Sequence, residues 1–177
     1  KKLDLKQPNL TFTRDLFLLS FYTRGMSFVD MAYLRKKDIR EGIIYYKRRK
    51  TGQRLSVKLE PCMQRIIDKY APHVPKELDY VLPIISSTDP LTAFKQYRNA
   101  LSYYNRLLKK LSHLLGLHQS LSSYVSRHSW ATIAYKRHIP LSIISEGMGH
   151  YSEMTTKIYL ASLDQTLLDR ANRTVLK

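Results

Sequence analysis

Acidic residues are scarce in this chain of 177 residues: 14 Asp and Glu stand against 30 Lys and Arg, a formal charge of +16. Residues 90–145 contain no acid at all, while Lys95, Arg98, Arg106, Lys109, Lys110, Arg127, Lys136 and Arg137 fall inside that window. A surface so one-signed repels itself unless it meets a polyanion. Nucleic acid is the polyanion this composition points to, because each neutralised phosphate releases counterions. Part of the run is expected to be ordinary solvated helix face.

Cysteine is nearly absent as well. Cys62 stands alone, which excludes a disulfide framework and a Cys-rich metal site. The six His lack the spacing of zinc ligands. No segment reads as a signal peptide, and no apolar run reaches membrane-spanning length. The expectation is a cytoplasmic protein without metal, cofactor or membrane partner. A hydrophobic content of 44% excludes a disordered chain, and the length suits one domain with a real core.

Periodicity predicts mostly helix. Residues 10–21 are amphipathic, with Leu16, Phe17 and Leu19 among the apolar positions, and Gly25 supplies a stop. Ser27-Phe28-Val29-Asp30 reads as a capping box opening a second helix to about residue 37. Two β-rich runs follow, 43–46 and 55–59, around the turn Lys47-Arg48-Arg49-Lys50-Thr51-Gly52, so a hairpin is expected. A helix over 63–70 ends before Pro72, and residues 71–90, with four prolines, read as a loop. Tyr97, Leu101, Tyr104, Leu108, Leu111 and Leu115 recur at alternating spacings of four and three, one face of a long helix stopped by Gly116. Further helices are expected over 123–136, 141–147, 153–160 and 162–173. The fold class is therefore mainly α with a small antiparallel β-hairpin or sheet.

Near the C-terminus stand Arg127-His128-Ser129-Trp130, then Gly147-Met148-Gly149-His150, then Thr155-Thr156-Lys157-Ile158-Tyr159. An Arg, a Gly-flanked His and a Tyr nine residues after it fit attack of the Tyr on a phosphodiester held by cationic donors. A guanidinium gives two parallel hydrogen bonds to phosphate oxygens, and imidazole titrates near neutrality. A phenol needs activation by a cationic surrounding.

In order, spacing and flanking Thr-Thr-x-x-Tyr, these residues resemble the catalytic end of the tyrosine recombinases, the phage integrase family, and in particular the integrases of mobile elements such as conjugative transposons. The resemblance covers nearly the whole chain. It implies that Tyr159 is the nucleophile and that Arg127 holds the scissile phosphate. His150 would hydrogen-bond that phosphate or assist proton transfer. Lys50, at the hairpin tip, would protonate the departing 5′ oxygen, with Arg48 or Arg49 able to share the work or the whole run simply gripping the backbone. Lys47, Arg48, Arg49, Arg54, Arg98 and Arg106 are the expected DNA contacts. Residues 1–8 would be the end of an interdomain linker and 9–177 the catalytic domain, without the N-terminal helical domain that family members carry.

Two positions depart from the pattern. The family has His three residues before the second arginine, where this chain has Tyr124; a phenol can donate to phosphate but is a poor proton shuttle at neutral pH. The family's first arginine falls at Ser27, an N-cap residue. Arg24, three residues earlier, is the expected substitute, with Arg48, Arg49 and Arg54 of the hairpin as the alternative. The implied function is that of a site-specific recombinase or integrase that cleaves and rejoins double-stranded DNA through a 3′-phosphotyrosyl link. It would work without cofactor, as a homotetramer on two duplexes, and as a monomer when the domain is isolated. A type IB topoisomerase and a degenerate recombinase that only binds DNA are the alternatives.

Overall fold

A computed structural model describes residues 5, 7–160, 173 and 176, and of Ile158 and Tyr159 the backbone alone. The helix expected over 162–173 lies outside the described residues. In chain order come α1 (Pro8–Tyr22), α2 (Phe28–Ala32), β1 (Ile39–Arg40), β2 (Ile43–Lys47), β3 (Arg54–Lys58), α3 (Pro61–Tyr70), α4 (Pro90–Leu114), α5 (Val125–Lys136), α6 (Leu141–Met148) and α7 (Glu153–Tyr159). The strands form one antiparallel sheet in the order β1-β2-β3, with Ile44 opposite Val57 and Lys47 opposite Arg54.

Pro8 opens α1 at a position where a missing N–H costs nothing. Leu10, Leu16 and Leu19 then turn into the main core. Asp15 is buried beside them, and its carboxylate accepts from Tyr70 Oη at 2.8 Å and Lys69 Nζ at 2.7 Å, joining α1 to α3. Burial would raise its pKa, but hydrogen bonds from Lys69, Tyr70 and Arg14 outweigh that and hold it below the ordinary carboxylate value. Along α4, Tyr104, Leu107, Leu108 and Leu111 are buried, and Phe28 stacks on Tyr104 at 4.8 Å between centroids. The predicted face holds at its centre and fails at its end, where Leu115 is 40% exposed.

The second helix is shorter than expected. Tyr33 caps α2, and the chain leaves helical geometry to pair with a later loop. Val81 N–H donates to the Leu34 carbonyl, Lys36 N–H donates to that of Asp79, and Arg35 bridges Tyr80. Those partners lie more than forty residues away, so no local pattern announces them. The same departure creates β1, a strand absent from the sequence reading.

A second, smaller core joins the C-terminal helices. Ala131 and Ala134 of α5 meet Ile144 and Met148 of α6 and Leu160, with Trp130 packed against them. Ser20 of α1 and Ser126 of α5 share a buried hydrogen bond of 2.7 Å, which fixes where α5 begins relative to α1. Among the described residues no helix is long and apolar enough to cross a membrane.

Candidate active site

The turn after α1 sets the first wall. Arg24 and Gly25 both adopt left-handed backbone, φ 59° and 78°, and Ser20 Oγ donates to the Met26 carbonyl at 2.8 Å. A Cβ on Gly25 would stand 2.6–2.8 Å from Arg127 Cγ, Cα and Cβ, so only glycine lets α5 approach this closely. The approach delivers the Gly25 carbonyl to Arg127, whose Nη1 donates to it at 2.7 Å.

The end of α6 sets the second wall. Gly149, at φ 66°, closes the helix in left-handed geometry, and His150 N–H donates back to the Ser145 carbonyl. Helix C-termini leave carbonyls without intrahelical partners and carry partial negative charge. Two arginines satisfy them. Arg127 Nη2 donates to the Met148 carbonyl at 2.5 Å. Arg48 Nη1 donates to the carbonyls of Met148 at 3.3 Å and Gly149 at 2.5 Å. Both side chains are buried, Arg127 at 2% exposure and Arg48 at 8%. Since one nitrogen of each reaches the same oxygen, those nitrogens are no more than about 6 Å apart.

His150 completes the cluster. Arg127 Nη2 lies 2.9 Å from its Nε2, and Thr156 Oγ1 lies 2.8 Å from its Nδ1. A guanidinium can only donate, so Nε2 accepts, the proton sits on Nδ1, and Nδ1–H donates to Thr156. Burial first, then the charges of Arg127 and Arg48, push the His150 pKa down to about 4. At neutral pH the ring is uncharged and serves as an acceptor that orients Arg127. Thr156, fully buried on α7, anchors that helix to the cluster; the Thr-Thr of the motif was its only trace in the sequence.

Lys50, Arg49 and Tyr124 line, with Arg48, Arg127 and Ser27, a cavity of about 380 Å³ backed by Phe28, Tyr97 and Leu101. Ser27 caps α2: its Oγ accepts from Asp30 N–H and donates to Asp30 Oδ2 at 2.6 Å. Tyr124 precedes α5 and is 50% exposed.

Arg24 is not among the residues lining this cavity. Its side chain runs across α6, where a Cβ on Gly147 would stand 3.5 Å from Arg24 Cδ and 3.5 Å from Trp130. It remains within the same field. Tyr46 is pushed up to about 12 by burial and by Asp30, against the lowering pull of Arg127, Arg48 and Arg24. Lys47, Arg49 and Arg54 are exposed on the hairpin, and Arg98 and Arg106 are exposed on α4. Arg98 and Arg106 do not reach the cavity. Tyr159 is the last residue of α7; its side chain lies outside the description.

The model of the phage integrase family matches residues 5–166. A tyrosine recombinase of Pseudothermotoga lettingae is 21% identical over 165 residues, which are 90% of this chain and 54% of that protein. The chain thus spans about half the length of this curated relative. The fold is similar to that of the XerH site-specific recombinase bound to a palindromic difH substrate in a post-cleavage complex. There the TM-score is 0.73 at 19% identity, over 99% of this chain and 49% of that one. It is also similar to the lambda integrase tetramer bound to a Holliday junction, at TM-score 0.57 and 18% identity over 84% of this chain and 42% of that one.

Proposed function

The chain belongs to the phage integrase family, and on that premise we propose that it is the catalytic part of a site-specific recombinase that cleaves and rejoins duplex DNA. One observation carries the reading: Arg127 and Arg48 converge on a single carbonyl, that of Met148, and both line, with Lys50, one cavity. Two cations held this close repel, by about 3 kcal/mol for unit charges about 6 Å apart at an effective dielectric of about 20. Helix-end carbonyls relieve part of this, and an anion in the cavity relieves more. The phosphodiester is the anion that the family's substrate supplies.

In the proposed reaction the Tyr159 phenolic oxygen bonds to phosphorus and loses its proton to solvent. The P–O5′ bond breaks, and the 5′ oxygen takes a proton from the Lys50 ammonium, which solvent then restores. The product is a 3′-phosphotyrosyl link and a 5′ hydroxyl, and attack by another 5′ hydroxyl reverses the sequence. Arg127 and a second arginine stabilise the charge of the pentacoordinate intermediate. The cavity lining favours Arg48 over Arg24 as that second cation, with Arg24 contributing field from across α6. His150 orients Arg127, and Tyr124 donates to phosphate from the rim. Lys47, Arg49, Arg54, Arg98 and Arg106 track the DNA backbone. Strand exchange between two duplexes calls for four protomers, and the integrases of mobile elements are the class this chemistry fits.

The test is incubation of the full-length protein with nicked suicide DNA substrates. A covalent adduct should form and should vanish in Tyr159→Phe, while DNA binding persists. An adduct retained in that variant and mapped to another tyrosine overturns the assignment.

A further inference from the structure

The tip of the β2–β3 hairpin is tethered on both sides of Lys50. Before it, the Arg49 amide donates to Asp30 Oδ1 at 2.9 Å. After it, the phenol of Tyr151 donates to the Thr51 carbonyl at 2.6 Å. The root of the loop is closed by Arg48 N–H donating to the Gln53 carbonyl and Gly52 N–H to that of Arg48. Lys50 itself is exposed and lines the catalytic cavity.

Among the described residues the Tyr151 side chain has no other hydrogen bond. It is 76% exposed, so it buries little apolar surface, and replacing it should barely change stability. Yet it follows His150 directly, and His150 is tied to Arg127 and to Thr156 of α7. The phenol therefore joins the segment that carries the phosphate cluster to the loop that carries the lysine.

We propose that Tyr151 is a positioning residue for Lys50: by fixing the carbonyl of the next residue, it holds the ammonium in register with the phosphate bound at Arg127. This rests on the reading of Lys50 as the general acid. A lysine carries a single charged head on a flexible four-carbon stem, so fixing the backbone on either side of it fixes where the stem starts and hence the region that the head can search. Asp30 supplies one fixed point from α2 and Tyr151 the other from the α6–α7 connection. Losing the second should lower the fraction of time that the ammonium meets the leaving oxygen, without removing the ammonium.

The chemistry provides a readout that a structural role would not move. In a substrate with sulfur in place of the bridging 5′ oxygen, the leaving group is a thiolate. Thiols ionise near pH 8.5, so departure needs little help from an acid. In the full-length protein, Tyr151→Phe should cleave the ordinary phosphodiester about three- to tenfold more slowly, the worth of one hydrogen bond. It should cleave the bridging phosphorothiolate at the wild-type rate. In a Lys50→Ala background it should have no further effect, which a double-mutant cycle reads directly. Urea midpoints should match those of the wild type.

Equal slowing on both substrates, or no slowing on the ordinary one, overturns the proposal for Tyr151. The acid assignment fails separately. If Lys50→Ala remains slow on the phosphorothiolate, then Lys50 is not the acid and the proposal falls with it. If Lys50→Ala is rescued and Tyr151→Phe is not, only the tyrosine's part is wrong.

Discussion

Acidification should destabilise the free protein through His150 before most carboxylates titrate. The unfolded chain protonates this ring at about 6.5, and the folded one at about 4, because burial and the charges of Arg127 and Arg48 oppose the imidazolium. Between those values the unfolded state holds the extra proton. The stability contribution is therefore whole above pH 6.5, is lost as pH falls through the window, and levels off below 4. A gap of about 2.5 pKa units at about 1.4 kcal/mol each makes the loss roughly 3 kcal/mol. That is a large share of a typical domain's stability.

Urea unfolding at pH 7.5 and at pH 4.5, on wild type and His150→Gln, isolates the ring from the other histidines and from Asp15. The wild type should lose more than the variant. The His150 ring resonance, assigned by its absence in the variant, should titrate far below 6.5 in the free protein. A phosphate seated against Arg127 and Arg48 cancels part of the opposing charge, so DNA should raise that pKa. Binding then takes up a proton and tightens as pH falls from 7 towards 5. A His150 midpoint near 6.5 without DNA would refute the reasoning, as would an unchanged midpoint on adding it.

Three further outcomes follow from the same cluster. Arg127→Ala should reduce cleavage about 100- to 1,000-fold, the usual cost of a preorganised oxyanion donor, and Arg127→Lys less; equal mild effects would mean that Arg127 only binds DNA. Single-turnover cleavage by Arg48→Ala should fall further than by Arg24→Ala, since Arg48 lines the cavity and Arg24 does not; the reverse order would return the second cationic role to Arg24. DNA binding measured by anisotropy should weaken by about three decades between 50 and 200 mM salt if about six phosphates are contacted, and a flat response would contradict a phosphate-tracking surface.

The sequence made most of the described helices, the hairpin and the family's motif legible because those depend on local periodicity and on short fixed spacings. Phe28, Leu16 and Leu108 are where the apolar pattern places them. It could not show the end of α2, which pairing with residues 79–81 decides. The burial of Arg48 was within reach but obscured. Lys47-Arg48-Arg49-Lys50 reads as undifferentiated charge, yet the strand alternates: Ile44 is buried, Tyr46 half-buried and Arg48 buried, while Tyr45, Lys47 and Arg49 are exposed. Carrying the period of two past the end of β2 puts Arg48 on the inner face. Arg24 shows the opposite limit. Its left-handed backbone and its course across α6 depend on tertiary contacts that a helix-end position does not specify.

If the family's first arginine falls at Ser27, as the resemblance implies, a serine there has a structural logic. An arginine at the N-cap would give up the hydroxyl that accepts from Asp30 N–H, a cap worth about 1 kcal/mol. It would also disturb Asp30, whose other oxygen holds Arg49. With serine there, α2 is capped, Asp30 is free of a competing cation on its own helix, and the hairpin is held over the cavity. On the proposed reading the second guanidinium is that of Arg48 from the hairpin, which is already bound to the end of α6. The hydrogen bonds by which Arg127 and Arg48 hold the fold together also fix their guanidinium groups in place for the proposed chemistry. Such donors need no reorganisation when charge develops on phosphate, which is the condition under which they stabilise it most. The cost is that the site cannot be tuned independently of the fold: a Cβ on Gly149 would stand 2.9 Å from Arg48 Cδ and 2.8 Å from Leu55 Cδ1, so even the smallest side chain there displaces the arginine and strains the helix end together.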